Sequence, residues 1–241
     1  YTLEANDMRF SGTGLNTGRI WTNDGAVVTF NPIGTNNNFT ALTVQARFGD
    51  DAITVTPIAN IPIAVSGGDP TGSDSVLVNG TVATDTITFT PIPATDDAAT
   101  VLVNALGLVT ITTTESVHIV GRGGNDTLNV ATPAATTSTV VLTPGATVDA
   151  GSVQVDSLVP MTFNNLGATG RLTVTDPTAA DGDRLVYNGT QASDVFTLPH
   201  GVVPAPSIAL NSQIGVGTTA VENYTLRGLG GDDTFNITPP L

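Results

Sequence analysis

Two stretches of this chain are copies of one another, and no other feature constrains the fold as strongly. Residues 63–89 (IAVSGGDPTGSDSVLVNGTVATDTITF) match residues 172–198 (LTVTDPTAADGDRLVYNGTQASDVFTL). Asp74 falls on Asp183, Gly80 on Gly189 and Asp85 on Asp194, each 109 positions apart. A weaker copy opens the chain, where Asp7–Thr13 is similar to Asp183–Thr190. A second module closes each copy: ESVHIVGRGGNDTLNVATP at 115–133 and ENYTLRGLGGDDTFNITPP at 222–240. Here Glu115 falls on Glu222 and Asp126 on Asp233, 107 positions apart. The first version, TALTVQARFGDDAITVTP at 40–57, has Asp51 in the Asp126 position. The chain therefore divides into repeat units at 1–66, 67–133 and 172–241, with an inserted β segment at 134–171.

The repeats read as strands. Apolar residues alternate at Val117, Ile119, Leu128 and Val130, and again at Tyr224, Leu226, Phe235 and Ile237. A period of two gives each strand one buried face. Gly-Gly-Asn-Asp and Gly-Gly-Asp-Asp turns supply positive φ, and Pro57, Pro133, Pro239 and Pro240 end the strands behind them. Across the chain 26 Gly and 15 Pro punctuate β-branched runs, and no window shows a helical period. The expected fold is all-β, a parallel β-helix-like solenoid of stacked coils of roughly 20 residues. Asp85 and Asp126, 41 positions apart, would then be two coils apart. The alternative is a row of small antiparallel β-sandwiches, with residues 99–111 forming a hairpin about Asn104–Gly107.

Charge narrows the partners. The net charge is −14, all seven cations are Arg, and only Glu4, Glu115 and Glu222 among the acids are Glu. Such a surface repels phosphate backbones and anionic membranes, so nucleic acid is not an expected partner. No apolar run approaches the roughly 20 residues of a membrane span, so no insertion is expected. Without Cys there are no disulfides and no thiolate chemistry. The chain begins at Tyr1, as a processed or excised piece of a longer protein would.

Gly121-Arg122-Gly123-Gly124-Asn125-Asp126-Thr127-Leu128-Asn129 resembles the G-G-x-G-x-D-x-U-x nonapeptide of hemolysin-type (RTX-like) repeats in large bacterial surface and secreted proteins. Gly228–Asn236 fits in the same way; Arg122 and Leu229 stand where the nonapeptide has its second Gly. The resemblance implies calcium held by turn oxygens. The candidate ligands are Asp50, Asp51, Asn125, Asp126, Asp232 and Asp233. Read from the residues alone, Asp in such turns caps backbone N–H groups.

Catalytic constellations are scarce. His118 and His200 have no neighbouring donors for zinc, and no G-x-S-x-G elbow or phosphate loop occurs. Asn-x-Ser/Thr sequons occur, and those at Asn79 and Asn188 are one repeated turn, which points to turn chemistry before glycosylation. Trp21, in the least repetitive unit near Asn36-Asn37-Asn38, is a candidate assembly contact. The expectation is a non-enzymatic structural repeat protein of an extracellular or cell-surface assembly: a filament, sheath, surface layer or stalk, self-associating into a homopolymer. The alternatives are a calcium-dependent adhesin or carbohydrate-binding module that takes surface glycans, and, third, a β-helix polysaccharide-active enzyme.

Overall fold

A computed structural model describes the backbone of residues 8–14, 17–21, 27–30, 41–68, 73–199 and 207–238. Side chains are described from residue 41 onward, Arg47 excepted. Asn36–Asn38, His200, Pro239, Pro240 and the Trp21 side chain lie outside the described residues.

Among the described residues every regular element is a strand. Three open the chain, β1 (Met8–Gly14), β2 (Thr17–Trp21) and β3 (Val27–Phe30). Four single strands follow, β4 (Leu42–Arg47), β5 (Ala52–Val55), β6 (Ile63–Gly68) and β7 (Ser75–Asn79). A meander comes next: β8 (Thr86–Pro91), β9 (Ala99–Val103) and β10 (Val109–Thr112). After β11 (Ser116–Val120) and β12 (Thr127–Ala131) there is a second, β13 (Thr139–Pro144), β14 (Gly151–Val155) and β15 (Met161–Asn164). After β16 (Arg171–Thr175) and β17 (Arg184–Asn188) there is a third, β18 (Val195–Pro199), β19 (Ala209–Leu210) and β20 (Gly215–Thr219). The last strands are β21 (Asn223–Arg227) and β22 (Thr234–Thr238).

These strands make an eleven-stranded sheet, an eight-stranded sheet and a three-stranded sheet bridged to the second, around one apolar core. Sheet 1 runs β3-β2-β1-β5-β7-β11-β15-β14-β13-β17-β21. Sheet 2 runs β4-β6-β10-β9-β8-β12-β16-β20, and an Ile208–Val216 bridge continues it into β19-β18-β22. Single strands shuttle between the sheets and stack in parallel, as in a solenoid, while β2, β9, β14 and β19 run antiparallel to their neighbours. The inward residues, such as Val76, Val78, Ile87, Phe89, Leu128 and Val130, alternate with outward ones as the period-two pattern requires. The hairpin expected over 99–111 is β9–β10, turning through Asn104–Gly107.

The coil count differs from the sequence expectation. The first coils advance by about 20 residues, since Leu42 pairs with Ile63 and Ala52 with Ser75. Asp85 and Asp126, however, are one strand apart and not two coils, because β8 and β12 are direct neighbours. The extra length is the meander. From β7 the chain enters sheet 2 three places beyond β6, then folds back through β9 to β10 beside β6. Segment 134–171, read as an insertion, contains β13–β14–β15, which does the same thing in sheet 1. β6 itself runs across the 66/67 unit boundary.

Each meander closes on a residue with left-handed backbone: Asn104, Asp156 and Asn211, with φ of 51°, 50° and 48°. The side-chain oxygen of each accepts the first backbone N–H of its meander, from Thr86, Thr139 and Val195, always at 2.8 Å. Short polar side chains tolerate this conformation and can reach that N–H, which is why Asn or Asp occupies the position. Successive meanders lie in sheet 2, sheet 1 and sheet 2. Two of them are needed to return to the same sheet, so the visible sequence repeat of 107–109 positions is twice the structural one.

Candidate functional site

The conserved-looking turns are corners. Gly80–Asp85, Gly121–Asp126, Gly189–Asp194 and Gly228–Asp233 all carry the chain from sheet 1 to sheet 2, with Gly five residues before Asp. The Gly-Thr turns and the Gly-Asp turns, separate modules in the sequence, are thus the same corner. The carboxylates link one corner to the next: Asp85 N–H donates to Asp126 Oδ1 (2.8 Å), and Asp194 N–H to Asp233 Oδ1 (3.0 Å). Thr81 and Thr190 N–H groups donate to Asp85 and Asp194 within their own turns, both at 2.6 Å. The opposite corners use the same device. Asp51 N–H donates to Asp74 (2.7 Å), Asp74 N–H to Glu115 (2.6 Å), and Ser138 N–H to Asp183 (2.6 Å).

These rungs are dry. Asp51, Asp74, Asp85, Asp126, Asp183 and Asp194 are all buried. Burial pushes the Asp126 carboxyl up to about 6, helped by the Asp85 charge and opposed by the Asp85 N–H. A Cβ on Gly121 would sit 2.2 Å from both Asn165 O and Asp126 Oδ2, so only Gly lets the carboxylate tuck under the corner.

The six residues expected to hold calcium do not converge. Asp50 and Asp51 lie at a sheet 2-to-sheet 1 corner, whereas the Asn125–Asp126 and Asp232–Asp233 pairs lie at two separate corners on the other side. Asp50 Oδ1 accepts Ser73 N–H (3.0 Å), Asn125 Oδ1 accepts Thr169 N–H (3.1 Å), and Asp232 N–H donates to Ser193 Oγ (3.0 Å). Neighbouring turns also touch backbone to backbone, with the Gly124 Cβ position 2.7 Å from Ala83. These six side chains are thus spread over three corners, each engaged with its neighbouring turn.

Carboxylates do converge elsewhere. One oxygen each from Asp176, Asp181 and Glu222 lie within 4.8 Å of one another, the one such group among the described residues. Asp176 and Asp181 belong to the β16–β17 corner, and Glu222 to the β20–β21 corner stacked beside it. Asp176 is only 3% exposed; its Oδ1 accepts Thr178 N–H (2.6 Å) and its Oδ2 has no partner. Asp181 shares a side-chain hydrogen bond with Asp183, and no N–H reaches the Asp181 oxygens or Asp183 Oδ2. Glu222 Oε1 accepts Ala180 N–H (2.9 Å). Positive φ at Ala180 (74°) and Gly182 (98°) bends the loop around this point. Burial, and then the charges of Asp183, Asp176 and Glu222, raise the Asp181 carboxyl. Sequence reading passed over this group because Glu222 is distant along the chain from Asp176 and Asp181. The available signal was the density of acid at Asp176, Asp181 and Asp183.

The other notable feature is an uncovered end. Phe235 and Ile237 of β22 are 44% and 63% exposed, although they sit at the register of Phe196 and Leu198. The Phe235 ring stacks on that of Phe196 at 5.2 Å. His118 hydrogen-bonds Thr162 across sheet 1 (2.7 Å), and partial burial lowers its pKa. The sequon residues Asn79 and Asn188 donate to Thr56 and Thr143 on neighbouring strands (3.2 and 3.0 Å), as rungs of the sheet. Compared with protein-family models, curated proteins and solved structures, the chain gives no match.

Proposed function

We propose that this chain is a non-enzymatic structural subunit of an extracellular or cell-surface assembly, polymerising head to tail through its two sheet ends. The observation that carries this reading is the stagger of the sheets. Sheet 1 runs three strands (β1, β2, β3) past β5 at one end, where sheet 2 stops at β4. Sheet 2 runs three strands (β19, β18, β22) past β20 at the other end, where sheet 1 stops at β21. Among the described residues each projecting tab thus has as many strands as the opposite end lacks. A second copy seated on the first adds its β3 to β21 and its β4 to β22. Both junctions are parallel, matching the sense of the strands already there.

The chemistry of the tabs supports the same docking. The tab of sheet 2 offers uncovered Phe235 and Ile237. In the tab of sheet 1, Val28 is in register with Ile20, Ile20 with Phe10, and Phe10 with the core residue Val55. Trp21 stands in β2 of that tab, the place proposed for an assembly contact. An exposed pair of parallel edges is a template for further strands. Because the two ends differ, the contact is heterologous and generates an open filament rather than a closed dimer. The recurring Asp residues are engaged by backbone N–H groups at corner after corner, which supports a structural rather than a catalytic role for them.

The test is Ile237→Lys. Ile237 is largely exposed in the single subunit, so the variant should fold as the parent does while losing assembly. Expected are filaments or high-mass species for the parent by electron microscopy and light scattering, and monomers for the variant. Equal assembly by both proteins, or monomers for both at high concentration, would overturn the reading.

A further inference from the structure

We infer that Asp176, Asp181 and Glu222 bind a divalent cation of the size and hardness of calcium, bridging the last two stacked corners. The proposal does not depend on polymerisation and concerns residues outside the Gly-Asp turns.

Acidic residues often sit close together on a surface without an ion, so the burial pattern matters. Asp176 is nearly inaccessible, yet its Oδ2 has no hydrogen-bond partner. A buried carboxylate oxygen normally has a donor, because an unpaired one carries the full desolvation cost. No N–H reaches either oxygen of Asp181 or Oδ2 of Asp183; their contact is a hydrogen bond between the two carboxyls, which holds only while they share a proton. Among the described residues no Arg is bonded to any of these oxygens; the partners that exist are backbone N–H groups of Thr178, Ala180 and Ser138, and the carboxyl-to-carboxyl hydrogen bond of Asp181 with Asp183. A cation is the partner that would satisfy several such oxygens together.

Comparison with the matching corner sharpens this. Glu115 holds the position of Glu222, and its Oε2 caps the N–H of the next corner's Asp74 at 2.6 Å. Glu222 instead reaches Ala180 N–H, inside the loop that carries Asp181. In the corner below, Thr132 occupies the place of Asp176: Thr132 N–H donates to Thr175 O just as Asp176 N–H donates to Thr219 O. The repeat thus has an acid at this corner where the corner below has Thr132, whose buried hydroxyl also has no partner. Three carboxylate oxygens within 4.8 Å suit ligand distances of about 2.4 Å around one ion, with water completing the six to eight oxygens that calcium takes.

The experiment is calcium chloride titration of the full chain by calorimetry and by thermal melting. Ile237→Lys is the background, so that assembly and binding are read separately. Expected are saturable binding at one ion per chain and a melting temperature raised by about 5 °C at a hundredfold excess over Kd. Sodium chloride of matched ionic strength should give no such rise. Asp181→Asn and Glu222→Gln should each weaken binding at least tenfold. In chelator both variants should melt at or above the parent temperature, since they relieve repulsion; this shows that lost binding is not lost folding. Asp232→Asn, in a Gly-Asp turn, should bind calcium as the parent does. Absence of saturable binding, or binding unchanged by Asp181→Asn and Glu222→Gln, would overturn the proposal. So would binding lost only in Asp232→Asn.

Discussion

The coil formed by β11 and β12 and the one formed by β21 and β22 are written in nearly the same residues and end in opposite environments. Leu128 and Val130 are fully buried, because β16 lies alongside with Leu172 and Val174 in register. Phe235 and Ile237, 107 positions later, have the same sheet partner on one side and nothing described on the other. The strand is built for a core in both places. Whether it sits in one depends on the next strand, and that dependence is the physical basis of stacking repeats.

The largest expected contrast comes from charge. Val130→Lys buries an unpaired ammonium and should prevent folding, whereas Ile237→Lys should leave the monomer intact and abolish assembly. Circular dichroism and light scattering of the two variants separate these outcomes. Truncation should give a milder version. Leu128→Ala should cost about 3 kcal/mol by denaturant unfolding, against about 1 kcal/mol for Phe235→Ala in the monomer. In the assembled state the two costs should converge.

Corner glycines sharpen the comparison further. Gly121→Ala drives a Cβ into the Asn165 carbonyl of the next strand, which cannot yield without moving the backbone. For Gly228→Ala the three nearest atoms all belong to the Asp233 side chain. The first should cost about 2 kcal/mol more than the second in thermal unfolding. Proton linkage is a smaller effect. The fold raises the Asp126 carboxyl from 3.8 to about 6, so the folded chain binds that proton more tightly than the unfolded chain. Its contribution is therefore stabilising at low pH and declines as pH rises from about 4 through 6. Asp126→Asn should remove that decline from the pH-stability profile. The smallest effect should be indifferent to position. Arg122 and Leu229 share a left-handed φ of 72°, and replacing either with Gly should stabilise by about 1 kcal/mol, equally in both coils.

Much of the fold was legible in the chain. Period-two alternation, Gly and Pro punctuation and the long repeat lead to an all-β stack, and the hairpin about Asn104 was visible as a hairpin. The meanders were not, because Asn104-Ala-Leu, Asp156-Ser-Leu and Asn211-Ser-Gln look unrelated until their shared left-handed turn and their backbone cap are seen. Consecutive copies also lie in opposite sheets, which hides a half-length repeat behind one of 107–109 positions. The acidic residues were the hardest to read. A carboxylate that caps a neighbouring corner, as Asp126 does, and one that converges with two others, as Asp176 does, look alike in a sequence, and each leaves one buried oxygen unpartnered. Only the stacking of corners separates them.

The most direct test of this account is the axial repeat of the assembled material. Among the described residues sheet 1 has eleven strands, and sheet 2 has eight plus the three bridged to them; at a spacing of about 4.8 Å this gives a rise of about 53 Å per subunit along a filament whose strands lie across its axis. Helical reconstruction or fibre diffraction should find that rise, with both sheets running unbroken through the junction. A rise unrelated to eleven strands, or a closed two-fold dimer, would contradict it.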